Sequence, residues 1–188
     1  MRTLILLLVT GIVFTSFNTF ASGSQAKSLS QSQAQDVVAT PAMDKQAQAI
    51  LASLPRNNRI EQARAVMRDG TLVHPTHCTN HSCSFALNSS KVQFVVHTHV
   101  RSDHDHKGIA RLITRGRELP GPGDQAFLEV GKAPNYFLTP SGNIRVLEYR
   151  QGEYRLRTVA GDQAPEREWQ PYAGEPTLAE INRAIRAG

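Results

Sequence analysis

The stretch KVQFVVHTH, residues 91–99, is dense in β-branched and aromatic residues and apolar at consecutive positions. A half-buried strand alternates apolar with polar side chains, whereas one that is apolar at neighbouring positions is covered on both faces. The segment therefore predicts the central strand of a sheet flanked by helices. Its end differs in kind. His97 and His99 are one residue apart, so on a strand they share a face while Thr98 points to the other. Two imidazoles so placed can grip one divalent ion from a rigid platform, or they can be ordinary polar residues where a strand meets solvent.

Working outward, MDKQAQAILASL (43–54) sets Ala47, Ile50, Leu51 and Leu54 at helical spacing, and Pro55 closes the helix. IEQARAVMRDGTLV (60–73) reads as two strands joined at an Asp69-Gly70 turn, and a short strand is expected at SFAL (84–87). KGIARLITRG (107–116) is helix-like, and GDQAFLEVGK (123–132) predicts a short helix after the breaks at Pro120 and Pro122. Three strands follow, NYFLTP, NIRVLEY and EYRLRTVA, with turns at Ser141-Gly142 and Gln151-Gly152. Residues 161–176 read as surface loop, and 177–188 as a closing helix with a Thr177/Glu180 capping box. Helices mixed with hairpin-linked strands give an α+β class, built on a central mixed sheet flanked by helices.

The N-terminus is set apart. Arg2 precedes an apolar run, LILLLVTGIV (4–13), and small residues end near Ala21, the pattern of a secretory signal peptide over 1–21. The run is too short to span a bilayer comfortably, so no stable membrane insertion is expected after cleavage. Residues 22–42 are rich in Ser, Gln and Ala and read as a flexible tether before a single domain over 43–188. The expected location is periplasmic or secreted. The formal net charge of +5 is carried by scattered basic residues without interleaved aromatics, which gives no support to a nucleic-acid groove.

The two cysteines, Cys78 and Cys83, lie in HCTNHSC. In an oxidising compartment they are expected to form a disulfide. His74, His77 and His81 surround them and make a Cys/His zinc site the rival reading, but oxidation would remove the thiolates it needs.

A catalytic zinc takes three protein ligands and keeps a fourth position for water. The best third partner for His97 and His99 is Asp124, which a Pro/Gly-rich turn in LPGPGDQAF (119–127) delivers to a helix start. Glu61 is the candidate base for deprotonating water. Singly, Asp124 could be a plain helix cap and Glu61 a surface-facing strand residue.

Taken in order, Glu61, His97-Thr98-His99 and Gly121-Pro122-Gly123-Asp124 resemble the JAB/MPN (JAMM) metallopeptidase pattern. The closer likeness is to a bacterial JAB-like branch found in polymorphic-toxin-type exported proteins, whose downstream segment is matched by GKAPNYFLTPSGNIRVLEY (131–149). The resemblance covers about residues 57–150. It implies a cytidine-deaminase-like, three-layer α/β fold, Zn2+ on His97, His99 and Asp124, Glu61 as acid/base, and hydrolysis of peptide or isopeptide bonds. Val100 stands where the pattern has proline, Gly121 where it has serine, and the insert from Val100 to Pro120 is long.

The expected function is thus an exported zinc-dependent amide hydrolase acting on a peptide, a peptidoglycan stem peptide or a protein. The alternative is a catalytically inactive JAB-like module that binds a protein partner or metal in the periplasm. A zinc-deaminase His-x-Glu with Pro-Cys-x-x-Cys, a P-loop and a Gly-x-Ser-x-Gly element are all missing from the sequence. His104 and His106, in the insert, are expected to meet solvent.

Overall fold

The computed structural model describes residues 35–55, 59–100 and 117–162, the short strands 6–9 and 167–168, and positions 179, 182, 183 and 186. In chain order the described elements are β1 (Leu6–Val9), helix α1 (Pro41–Ser53), β2 (Ala63–Met67), β3 (Leu72–Val73), β4 (His77–Cys78) and β5 (Cys83–Ala86). They continue with β6 (Val92–Thr98), helix α2 (Pro122–Gly131), β7 (Asn135–Leu138), β8 (Ile144–Arg150), β9 (Glu153–Ala160) and β10 (Arg167–Glu168).

The main sheet has seven strands in the order β10-β9-β8-β7-β6-β2-β3. Within it β6 runs parallel to β7 and antiparallel to β2, while β7, β8, β9 and β10 pair antiparallel. The sheet is mixed and the class α+β. As the consecutive apolar residues of 91–99 require, β6 is a central strand: Phe94, Val95 and Val96 are all fully buried. Phe94 and Val96 pack on the α1 side with Ala47, Leu51, Tyr136 and Val146. Val95 packs on the opposite side with Ala63, Ala65 and Phe127 of α2. Two helices therefore cover two faces of one sheet.

Local chemistry explains the boundaries. Pro41 sits in the first turn of α1, and the Thr40 hydroxyl accepts a hydrogen bond from the Met43 N–H. The β8–β9 turn puts Gln151 at φ 55° and Gly152 at φ 85°, the left-handed pair that a two-residue hairpin demands. The first turn of α1 is fastened to the sheet by Asp44. Its carboxylate accepts two hydrogen bonds from the Arg157 guanidinium, at 2.8 and 3.0 Å, and one from the Tyr136 hydroxyl at 2.8 Å.

Some expectations are revised. Residues ahead of 43 already take part in the packed fold: Val37 is buried and bridges to Tyr149, and α1 starts at Pro41. The cause is local, since the tether's composition turns apolar at Val37 and Val38 and the first of these finds the core. Arg167 and Glu168, read as loop, pair with β9 as an edge strand. Leu6–Val9, in the expected leader, lies antiparallel on β5. Most of the leader and the tether up to residue 34, His104 and His106, the helix expected over 107–116, and the Thr177/Glu180 capping box lie outside the described residues. Positions 179, 182, 183 and 186 are helical, in line with the closing helix. Among the described residues no helix is long and apolar enough to cross a membrane.

Cys78 and Cys83 are bonded across the β4–β5 pair, where they stand directly opposite one another. Closing so short a loop contributes about 2 kcal/mol by chain entropy. Asp44→Ala should cost about 2 kcal/mol, because it strands the Tyr136 hydroxyl and leaves the Arg157 guanidinium with its longer 3.5 Å contact to Glu148. Urea unfolding followed by circular dichroism checks this, and a loss below about 0.5 kcal/mol, the range of ordinary surface substitutions, would show that the clamp holds nothing.

Candidate metal centre

Register builds the site. β2 and β6 pair with Ala63 opposite His97, and the ladder continues past their ends: the Thr98 N–H donates to the Gln62 carbonyl at 2.8 Å, and the Gln62 N–H donates to the Thr98 hydroxyl at 2.9 Å. Carried one residue further, this register sets Glu61 opposite His99. On the other side the His99 N–H donates to the Leu138 carbonyl at 2.9 Å, extending the parallel β6–β7 ladder. Side chains at 61, 63, 97, 99, 135 and 137 then share the face that α2 covers.

Helix α2 brings the third member. Asp124 is in its first turn, and the carboxylate Oδ2 accepts from the Gly121 N–H at 2.8 Å, turning back to the helix start. Oδ1 accepts from the Asn135 side-chain amide at 2.9 Å. The sequence-predicted trio thus meets. His97 Nε2 lies 2.9 Å from His99 Nε2 and 3.2 Å from Asp124 Oδ1, and His99 Nε2 lies 3.7 Å from Asp124 Oδ2. All three side chains are buried, and together they could hold a metal ion. The Phe137 ring forms the floor, stacked on His99 with ring centres 4.8 Å apart.

Hydrogen bonds aim the imidazoles. His99 Nδ1–H donates to the Arg117 carbonyl at 2.5 Å, so its Nε2 points at the cluster. The His97 Nδ1 atom and the Asn135 Oδ1 atom are both buried without a hydrogen-bond partner. An imidazole Nδ1–H is the donor an amide oxygen needs, and that tautomer leaves the His97 Nε2 lone pair facing inward.

Electrostatics follow from burial. Desolvation pushes His97 down to about 4 against the opposing pull of Asp124, so its imidazole is neutral. For His99 burial also works downward, but the hydrogen bond and charge of Asp124, with the charge of Glu61, outweigh it and raise the group. Burial opposes ionisation of Asp124 as well, yet the two histidines hold it below the usual carboxylate range. His99 and Asp124 thus favour one another's charged forms beside a neutral His97, and a bound cation would compete with the proton for His99.

Glu61 is buried at 3% exposure. Its N–H donates to the Thr79 carbonyl at 2.8 Å, and the Cys83 sulfur packs 3.6 Å from the Glu61 carbonyl oxygen. The disulfide-closed hairpin thus braces the base candidate. The link between Cys78–Cys83 and Glu61 is not visible in sequence spacing. Asn135 is the other residue that spacing does not reveal: it lies in the segment 131–149 as one polar position in an apolar strand, which is the signal that could have marked it. Tyr136, Thr139 and Ser141 serve core and turn; the Thr139 hydroxyl accepts from the Asn143 N–H at 3.1 Å and meets the Ser141 hydroxyl at 2.9 Å. No family model matches the chain, and no curated protein or solved structure matches it either.

Asn135→Ala should weaken metal affinity by about 10- to 100-fold, the usual effect of removing a group that orients a ligand. Competition with a chromophoric chelator measures it, and an unchanged affinity would remove Asn135 from the centre. Near neutral pH, metal uptake should release a proton from His99, raised as it is by Asp124. Calorimetry in buffers of different ionisation enthalpy reads that proton, and buffer-independent heats would contradict it.

Proposed function

We propose that this chain is an exported, zinc-dependent hydrolase of peptide or isopeptide bonds, working in the manner of the JAMM metallopeptidases. The observation that carries the reading is the buried meeting of His97, His99 and Asp124 beside Glu61. Ligand atoms about 2.0–2.1 Å from a tetrahedral zinc stand roughly 3.3 Å from one another. The two imidazole nitrogens stand 2.9 Å apart, and the carboxylate approaches them at 3.2 Å through Oδ1 and 3.7 Å through Oδ2, separations close to that value. The donor set, two imidazoles and a carboxylate with hydrogen-bonded outer partners, is one that zinc favours in catalytic sites.

Zinc held there would supply Lewis acidity, acidifying water and polarising the scissile carbonyl. The chain's own residues do the rest. Glu61 stands opposite His99 and takes the water proton as the oxygen adds to the carbonyl carbon. It then passes that proton to the leaving amine as the C–N bond breaks. Phe137 keeps the floor apolar, which strengthens every charge interaction above it. Peptidoglycan stem peptides or a delivered protein suit the expected compartment, and the signal peptide over 1–21 belongs to the same reading.

One observation favours a second reading, a silent JAB-like module that binds a partner or metal. Gly121 offers the centre only its N–H, although the space is there: a Cβ at Gly121 would come no nearer than 3.8 Å to Asp124 Oδ2.

After chelation and reconstitution, the protein should hold one tight zinc per chain, lost in His97→Ala. Glu61→Gln should keep that zinc and lower turnover of quenched peptide libraries or muropeptides by a factor on the order of 10²–10⁴. An unchanged rate in Glu61→Gln would refute its role. Loose binding of several ions that survives His97→Ala would refute the metal assignment.

A further inference from the structure

We propose that the Arg117 guanidinium receives the negative charge arising on the substrate's carbonyl oxygen, so that Arg117 and His81 form an oxyanion-binding wall of the site. This rests on the hydrolase reading and adds a substrate-contacting residue to it.

Arg117 is built into the centre rather than hung over it. Its carbonyl takes the His99 Nδ1–H at 2.5 Å, and its guanidinium donates to the carbonyl of Val100, the residue next to His99, at 2.8 Å. A second guanidinium nitrogen meets His81 Nδ1 at 3.3 Å. The neighbouring residue fixes the backbone here. The Glu118 carboxylate accepts from the Ser141 N–H at 2.8 Å and from its hydroxyl at 2.7 Å, while Arg145 donates to the Glu118 carbonyl at 2.5 Å. So the segment entering α2 is pinned to the β7–β8 turn, and among the described residues no carboxylate is hydrogen-bonded to the guanidinium.

The charges around it fit the task. Burial and then the Arg117 charge push His81 down, so its ring is neutral and accepts from the guanidinium without cancelling its charge. Glu61 acts on Arg117 through space, and burial costs the guanidinium some of its solvation. When the water oxygen bonds to the carbonyl carbon, the C=O electron pair moves to the carbonyl oxygen and Glu61 gains the water proton. At that moment Glu61 loses its negative charge and the substrate oxygen acquires one. A fixed, partly desolvated cation that felt the Glu61 charge beforehand stabilises the oxygen afterwards without reorganising. Arginine also carries five donors in a rigid fork, so it can keep Val100 and His81 and still present N–H groups to the substrate.

The test uses the full chain loaded with cobalt(II), whose visible spectrum responds to ligands at the centre. The anionic probe is methylphosphonate, a tetrahedral oxygen anion, and imidazole is the neutral control. Arg117→Gln should bind methylphosphonate about tenfold more weakly or worse, the loss expected for one charge-assisted hydrogen bond. Cobalt stoichiometry and imidazole affinity should stay within about twofold of wild type, below the effect of one hydrogen bond. Arg117→Lys should recover part of the loss. His81→Glu, at an exposed position, should mimic it by neutralising the guanidinium in place, and decides the matter if Arg117→Gln does not fold. Unchanged methylphosphonate affinity in a cobalt-loaded Arg117→Gln or His81→Glu protein would overturn the proposal and leave the metal reading intact. Equal methylphosphonate binding to the metal-free wild type would also overturn it, showing a free-standing anion pocket instead. Failure of the wild type to bind cobalt through His97 would bring down the metal reading and this subsite with it.

Discussion

Burying His97, His99 and Asp124 side by side is the constraint on which the rest depends. All three are buried, and an ionised carboxylate in such a place is tolerated only when paired and hydrogen-bonded. Each neighbour answers one part of that requirement. The Gly121 N–H and the Asn135 amide take the two Asp124 oxygens, the Arg117 carbonyl takes the His99 ring, and Phe137 seals the floor. What remains is a set of inward-facing lone pairs whose natural partner is a cation. An apolar core needs none of this apparatus, and no structural duty of the sheet calls for it.

The fold supplies these pieces through two simple devices. Strand alternation puts His97, His99, Asn135 and Phe137 on one face, and the antiparallel register of β2 brings Glu61 to the same face opposite His99. The start of α2 then descends on that face, with Asp124 turned back to its own helix terminus. Stability is provided elsewhere, by α1 clamped through Asp44, Tyr136 and Arg157 on the far side of the sheet. Separating the two lets one face carry costly polar groups while the other packs Phe94, Val96 and Val146 without interruption.

Much of this was legible in the residues. Consecutive apolar positions named β6 as central, Pro55 named the end of α1 and the Pro/Gly turn the start of α2, and His-x-His with a distant aspartate named the group that could hold a metal. The reasons are local: periodicity, caps and turn chemistry act within a few residues. What escaped depends on contacts far apart in sequence. Asn135 reaches Asp124 only because β7 lies parallel to β6, and the Cys78–Cys83 bond matters to Glu61 only because the β4–β5 hairpin folds back on it. Arg117 read as one of several scattered charges until the strand end and the helix entry were placed together. Val37 looked like tether because composition cannot show that a single side chain will dock.

The most direct test of the central claim is X-ray absorption on the zinc-loaded protein. The account predicts a single zinc with a shell of nitrogen and oxygen at about 2.0–2.1 Å, with outer-shell scattering from two imidazole rings. A sulfur shell near about 2.3 Å, or an oxygen shell lacking imidazole scattering, would place the metal elsewhere and contradict it.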